Sequence, residues 1–315
     1  SEYYKETTDH DVIFVGDCEV YENFSPITMW EDYGITSYIR GSAQQLIWQS
    51  YYLLEETLEY EKPEVVVFNV LSMKYDTPQK EAYNRMTLDG MKWSKSKVDD
   101  IRASMMEDEE FADYVFPILR YHSRWQELTS DDFKYLFTRR PVSQSGYYMR
   151  IDVKPAQTFP KPKKLANYEF GENSWKYLEK MRKLCEEKGI QLILVKAPSL
   201  YPAWYDEWED QIEEYAKTYE LPYYNFLELT DEVGIDFTKD TYDGGLHLNL
   251  SGAEKMGAYF GKILREEFQV PDRRNDEKIA SVWAEKCAAY YDMEKRQQEE
   301  LDTYGYLKMF NSDKE

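Results

Sequence analysis

Cysteine and histidine are scarce in this 315-residue chain, with three of each. Three thiols cannot build a disulfide framework. No Cys-x-x-Cys or Cys/His cluster offers the ligand spacing of a zinc site, so neither a metal nor a cofactor is expected. Cys185 falls at helical spacing among Tyr177, Leu178, Met181 and Leu184, and Cys287 among Val282, Trp283 and Tyr290. Both read as small core hydrophobes. Of the histidines, His10 reads as solvated near the terminus and His122 as structural or lid-lining. Long apolar runs are also missing, and none approaches the ~18–20 residues of a membrane-spanning helix. Positive charge is short as well. The 39 Lys and Arg face 60 Asp and Glu, and the net charge of −21 argues against nucleic acid or an anionic membrane surface as a partner. The chain opens on Ser1 rather than Met, which leaves room for a removed signal peptide or N-terminal membrane tether. The oligomeric state is not legible.

Aromatic residues, by contrast, are plentiful. They make up 16% of the chain and include 29 Tyr. Their faces stack on sugars and their hydroxyls bond them, so a carbohydrate-facing surface and an ordinary core are both open readings.

Strand and helix signals alternate. Residues 12–15, 65–70, 191–196 and 223–227 are apolar strand runs of the kind buried in a parallel sheet. Ser42 with Gln45 reads as a capping box opening a helix with Leu46, Ile47, Ser50, Tyr51, Leu54 and Leu58 on its apolar positions, stopped at Lys62-Pro63. A helix over 174–188 closes at Gly189. An acidic amphipathic helix covers 204–219, and Ser251 with Glu254 opens another to about 267. A last long helix carries Ile279, Val282, Trp283, Cys287, Tyr290 and Met293 on one face. The reading is a single α/β domain over 1–315 with a doubly wound, flavodoxin-like, mostly parallel sheet and helices on both faces. Residues 73–165 break the rhythm as a polar helical insertion or cap, with helices expected over 93–106, 109–127 and 131–137. Residues 271–315 form a C-terminal helical extension.

Sites in such sheets form outside the carboxyl ends of the strands. Cys18 lies just past the first strand in Gly16-Asp17-Cys18, and Asn69 ends the strand at 65–70. Asp243 and His247 sit in the loop before the last sheet-packing helix. Taken alone, Cys18 reads as a buried structural thiol; the company of the other segments turns it into a candidate nucleophile.

These residues resemble the GDSL/SGNH hydrolases and acyltransferases in four blocks that occur in order. Gly16-Asp17-Cys18 stands where that family has Gly-Asp-Ser, and Gly41 in Ile39-Arg40-Gly41-Ser42 matches its Gly block. Asn69 in Phe68-Asn69-Val70 matches its Asn block, and Asp243-Gly-Gly-Leu-His247-Leu-Asn249 its terminal block. The resemblance implies Cys18 as nucleophile, His247 as general base and Asp243 as the carboxylate that orients the imidazole. It implies an oxyanion hole from the backbone amides of Cys18 and Gly41 and the side chain of Asn69. Three departures stand out. Asp243 and His247 are four apart rather than three, so Asp240 or a backbone carbonyl is an alternative partner for His247. Only the Asn of the Gly-x-Asn-Asp block is present. Cys replaces Ser, which either supports acyl transfer through a thioester or marks a pseudoenzyme that binds glycan or protein.

Val195-Lys196-Ala-Pro198-Ser199-Leu-Tyr201-Pro202 resembles a segment of extracytoplasmic polysaccharide O-acetylation proteins in the same superfamily. That likeness implies Arg40, Lys74 and Lys196 as substrate-contacting cations and an ester on a cell-surface glycan or a small molecule as substrate. It also implies an extracytoplasmic site held by an N-terminal anchor, with a cytoplasmic one left open.

Overall fold

Runs of valine, isoleucine and phenylalanine bury both faces of a strand, and here they assemble a single parallel sheet. The computed structural model describes residues 2–115, 144–157 and 161–310. Its strands are β1 (Val12–Gly16), β2 (Ser37–Gly41), β3 (Val65–Asn69), β4 (Gln191–Lys196) and β5 (Tyr223–Asn225). They lie in the order β2-β1-β3-β4-β5, every neighbouring pair parallel. The chain therefore winds outward from β1 to β2, then reverses through β3, β4 and β5. The reversal puts the switch point of the sheet at the carboxyl ends of β1 and β3, where a doubly wound fold opens a crevice.

Described helices in chain order are α1 (Cys18–Asn23), α2 (Pro26–Tyr33), α3 (Ile47–Thr57), α4 (Glu81–Leu88), α5 (Lys95–Ser104) and α6 (Phe111–Val115). Then come α7 (Glu172–Lys188), α8 (Asp206–Thr218), α9 (Thr230–Val233), α10 (Leu250–Glu266) and α11 (Glu277–Tyr304). None of them is long and apolar enough to cross a membrane. Strand periodicity divides the core in two. Val12, Phe14, Val65, Val67, Ile193 and Val195 face α2, α10 and α11 through residues such as Met29, Phe260 and Trp283. Ile13, Val15, Val66, Phe68, Leu192 and Leu194 face α3, α7 and α8 through Trp48, Leu178 and Ile212. Helix α11 is anchored by Trp283, whose ring stacks on Trp30 at 5.1 Å and 22°.

Several local expectations need correction. Strand β2, Ser-Tyr-Ile-Arg-Gly, carries too little apolar signal to be read from sequence, yet it pairs with β1 along its whole length. The capping box at Ser42 and Gln45 does not form. Gln45 donates instead to Arg40 O (3.1 Å) and Ser50 Oγ (2.9 Å), and α3 starts at Ile47, where Leu46 N–H donates to Gln49 Oε1 (3.0 Å). At α10 the cap is Asn249, whose side chain accepts from Gly252 N–H, while Ser251 Oγ donates to Asp240 Oδ1. His10 is not solvated: it is 2% exposed, with Nδ1 3.0 Å from Glu61 Oε2.

The region read as an insertion has two described parts. Helices α4 to α6 pack Leu88, Met91, Ile101 and Tyr114 around Leu53 of α3. Residues 144–157 form an irregular strap that buries Tyr147 and Met149 in the core beside α11 and α10. The strap bonds to edge strand β2 and to the start of α10: Ile39 N–H donates to Ser145 O, and Leu250 N–H to Arg150 O. The helix expected over 131–137, most of that over 109–127, and His122 lie outside the described residues.

Candidate active site

The turn after β1 begins at Gly16, whose φ of +154° side chains disfavour and whose added Cβ would press on Asn69 and Val20 at 3.2 Å. Asp17 then caps α1, its carboxylate accepting from Glu19 N–H at 3.2 Å. Cys18 is thereby the first residue of the helix, partly exposed, and its backbone N–H is one of the initial amides that have no acceptor inside a helix. Gly41 ends β2 opposite Gly16, and an added Cβ there would meet Val20 and Tyr21. The Cys18 and Gly41 backbones are thus carried to one edge by register alone.

The second half of the site is the loop between Thr241 and Leu248, which pair as an antiparallel bridge. Gly244 and Gly245 take φ of +86° and +103°, which lets the chain turn back within five residues. Thr241 Oγ1 donates to His247 O (2.7 Å) and accepts from Gly245 N–H (2.8 Å). Asn23, at the end of α1, accepts from Leu248 N–H at 2.9 Å and so fastens α1 to this loop.

His247 is 8% exposed and its Nδ1 lies 2.7 Å from Asp243 Oδ2. Asp243 Oδ1 also accepts from His247 N–H at 2.9 Å. Of the two candidate acids, then, Asp243 is the one at the imidazole; Asp240 is occupied by Lys255 Nζ (2.6 Å), Ser251 and Asp236 N–H. The spacing of four is accommodated because the loop folds back through two glycines. The other ring nitrogen, Nε2, is buried and has no hydrogen-bond partner among the described groups. Cys18 is among the groups that act on this imidazole.

The electrostatics follow from burial and four nearby carboxylates. Burial alone would lower the His247 pKa, but Asp243, Cys18 and Glu22 outweigh it and push it up to about 11. Burial raises the Cys18 thiol and Asp17 raises it further, while His247 pulls it down; the net direction is upward. Burial also lifts the Asp17 carboxyl to about 6, with Glu19 adding to the rise. Asp243 stays below the ordinary carboxylate value because its bonds to His247 exceed the cost of burying it.

Asn69 departs from its expected role. Its amide nitrogen donates to Asp17 Oδ1 (3.1 Å) and Glu19 Oε2 (2.9 Å), and its carbonyl oxygen accepts from Ala197 N–H (3.1 Å). Both amide hydrogens are committed, so the side chain has none left for an oxyanion. Two buried acids beside it demand donors, and Asn69 is the donor at hand.

The expected substrate cations are corrected as well. Lys196 is fully buried, with Nζ 3.1 Å from both Glu19 oxygens and 2.6 Å from Ala197 O. Arg40 points to the α3 face, where it donates to Glu56 (3.0 Å) and Thr57 (2.9 Å) and lies over the Tyr3 ring at 4.2 Å. A cation buried in either position needs its partners, and the pairing removes it from a substrate. Lys74 alone stays partly exposed, and its charge reaches Asp17.

Sequence reasoning missed Glu22 and Tyr242. Glu22 is 4% exposed, with Oε2 3.7 Å from His247 Nδ1 and accepting a hydrogen bond from Tyr242 OH. The Tyr242 ring lies parallel to the imidazole, 6.0 Å away at 14°, and carries the Arg150 guanidinium on its face at 4.2 Å. The available signal was the spacing of four between Cys18 and Glu22, which shares a face once 18–23 is helical.

Solved structures similar to this chain include two described as GDSL proteins and one described as an acylhydrolase. One from Desulfitobacterium hafniense, described as a lipolytic protein of the G-D-S-L family, is 12% identical with a TM-score of 0.39, covering 81% of this chain and 100% of its own. A Bacteroides fragilis protein described as an acylhydrolase is 13% identical with a TM-score of 0.39, over 84% of this chain and 90% of its own. A GDSL-like lipase from Bacteroides thetaiotaomicron is 14% identical with a TM-score of 0.37, over 81% and 88%. No family model matches the sequence, and no curated protein does.

Proposed function

We propose that the chain is an SGNH-type acyl hydrolase or O-acyltransferase that forms a thioester on Cys18. The observation that carries this reading is the buried, unpartnered Nε2 of His247 beside Cys18, with Nδ1 held by Asp243. A buried nitrogen left without a partner costs free energy unless a reacting group uses it.

The Cys18 and His247 pair shares one proton in its reactive form. Cys18 sulfur attacks the ester carbonyl carbon as its proton passes to Nε2, and the carbonyl π electrons move onto oxygen. Backbone amides at Cys18 and Gly41 receive that oxyanion. The carbonyl re-forms, the C–O bond to the alcohol breaks, and the imidazolium returns the proton to the leaving oxygen. Water or an acceptor hydroxyl then attacks the thioester, giving its proton to His247, and sulfur leaves with that proton. The substrate class is an O-acyl ester, acetyl or similar, on a cell-surface glycan or related molecule.

Incubation with an aryl acetate, followed by peptide mass spectrometry, tests the reading. Acylation at Cys18 is expected, and its absence together with no turnover in the reduced protein would sink the proposal.

A second reading is supported by the committed amide of Asn69 and the raised Cys18 thiol: an inactive relative of such enzymes that binds glycan or protein. Cys18→Ser separates the two. Hydrolysis that appears or rises with Ser indicates a competent scaffold, whereas two inactive forms with unchanged glycan binding indicate the binding module.

A further inference from the structure

His247 faces two carboxylates rather than one, and they come from different elements. Asp243 is local, four residues before the histidine, and spends both oxygens on it. Glu22 arrives on α1, one helical turn after Cys18, and its Oε2 stands 3.7 Å from the same Nδ1. That is beyond hydrogen-bond length but within ion-pair range. Tyr242 OH fixes the carboxylate by donating to it, and the Tyr242 ring lies parallel to the imidazole. Glu22, Tyr242 and His247 thereby form a closed set in which the helix bearing the nucleophile also holds the ring that serves it.

We infer that Glu22 is a positioning residue for His247, a second carboxylate that holds the charged imidazole in register with Cys18 by way of Tyr242. The inference rests on the reading of Cys18 and His247 as a working pair. Three observations carry it. Glu22 is almost wholly buried, and a carboxylate taken out of water needs a cation or donors nearby. Its partners are an imidazole and a phenol of the catalytic loop. Arg150, the guanidinium nearest this group, is drawn off by a bidentate pair with Asp152 at 2.7 and 2.9 Å, leaving His247 as the closer cation.

The groups facing Glu22 are His247, Asp243 and Tyr242 from the loop, Arg150, Tyr147 and Tyr148 from the strap, and Tyr21 on its own helix. Burial lifts the Glu22 carboxyl to about 7, and the His247 charge is the largest influence drawing it back down. Glu22 therefore gains charge across the neutral range, and with it the hold on the imidazolium tightens.

The test is the ring-proton NMR titration of His247 in the whole chain, assigned by its loss in His247→Gln, for native protein, Glu22→Gln and Glu22→Asp. The native ring is expected to stay charged at pH 9. Glu22→Gln should lower its midpoint by about one pH unit or more, as loss of an opposite charge at this range does, and Glu22→Asp by less. If esterase turnover is present, the high-pH plateau of kcat should fall by about tenfold in Glu22→Gln with KM within about twofold, while the alkaline rise moves to lower pH with the His247 midpoint, and Glu22→Asp should recover part of the plateau. A His247 midpoint that does not move in folded Glu22→Gln overturns the inference. Should Glu22→Gln not fold, the same reading is taken from Glu22→Asp, and an unmoved midpoint there overturns it equally. The titration is independent of turnover, so a shifted midpoint without acylation of Cys18 retires the acyl-transfer reading while leaving the Glu22–His247 coupling in place.

Discussion

Lys196 Nζ lies 3.1 Å from each carboxylate oxygen of Glu19, 177 positions apart in the chain, and neither side chain reaches solvent. The pair joins the end of β4 to the residue after Cys18, so the turn that presents the thiol is fixed from beneath by charge as well as by packing. Removing one member leaves the other buried and uncompensated. Lys196→Met is expected to cost about 3–5 kcal/mol in denaturant unfolding, and Lys196→Met with Glu19→Leu to recover most of it. A small cost in the single variant would show that the pair is hydrated rather than buried.

Asn69 separates two roles that one residue type can fill. As an arm of an oxyanion hole, its removal would cut kcat by about 10²–10³ without harming the fold. Its observed bonds predict the reverse pattern. Asn69→Ala orphans Ala197 N–H and strips donors from Asp17 and Glu19, so it should lose about 2–4 kcal/mol of stability. The folded fraction should keep kcat within about tenfold of native. Equilibrium unfolding and active-site titration of the same preparation decide between them.

Cys18 and His247 are both displaced upward, the thiol by burial and Asp17, the imidazole to about 11 by Asp243, Cys18 and Glu22. At neutral pH the pair carries both protons, and the reactive, singly protonated form fills only as pH rises. Alkylation of Cys18 by iodoacetamide, followed by peptide mass spectrometry, should therefore accelerate steadily from pH 7 into the alkaline range, with a midpoint above that of a free thiol near ~8.5. A midpoint at or below 7 would contradict this ordering of the two groups.

A second buried cluster ties the amino-terminal segment to α11. Lys286 Nζ is 2.6 Å from Glu6 Oε2, and His10 sits between Glu6 and Glu61. Burial works against the charge on Glu6, but His10 and Lys286 bring its carboxyl down to about 2 from 4.5. That stabilisation is fully present above pH 4.5 and is lost as pH falls toward 2. His10 is raised from 6.5, so its share is complete below 6.5 and is lost as pH rises through the folded-state value. Glu6→Gln should lower Tm most between about pH 4.5 and 6.5, with the gap from native closing on the acid side. Parallel Tm curves across pH 3 to 6 would count against this account.

Much of the scaffold is legible along the chain because it rests on local signals. The valine and isoleucine runs of β1, β3 and β4 mark strands buried on both faces, and Gly189 takes the left-handed conformation that ends α7. Strand β2 is not legible, since its arginine is acceptable only because Glu56 and Thr57 wait on α3. The Ser42 and Gln45 pair fits the local rule for a cap, but Gln45 has better partners in Arg40 O and Ser50.

Order and spacing in the sequence determined which segments meet at one sheet edge: Gly16-Asp17-Cys18, Gly41, Asn69 and the Asp243 to His247 loop. Tertiary structure alone decided what each side chain is free to do there. Asn69, Lys196 and Arg40 were drawn into buried partners set by sheet order and register, and Glu22 was brought to the imidazole. The reason is electrostatic: a polar group's availability depends on which charges surround it once water is excluded, and those neighbours come from distant parts of the chain.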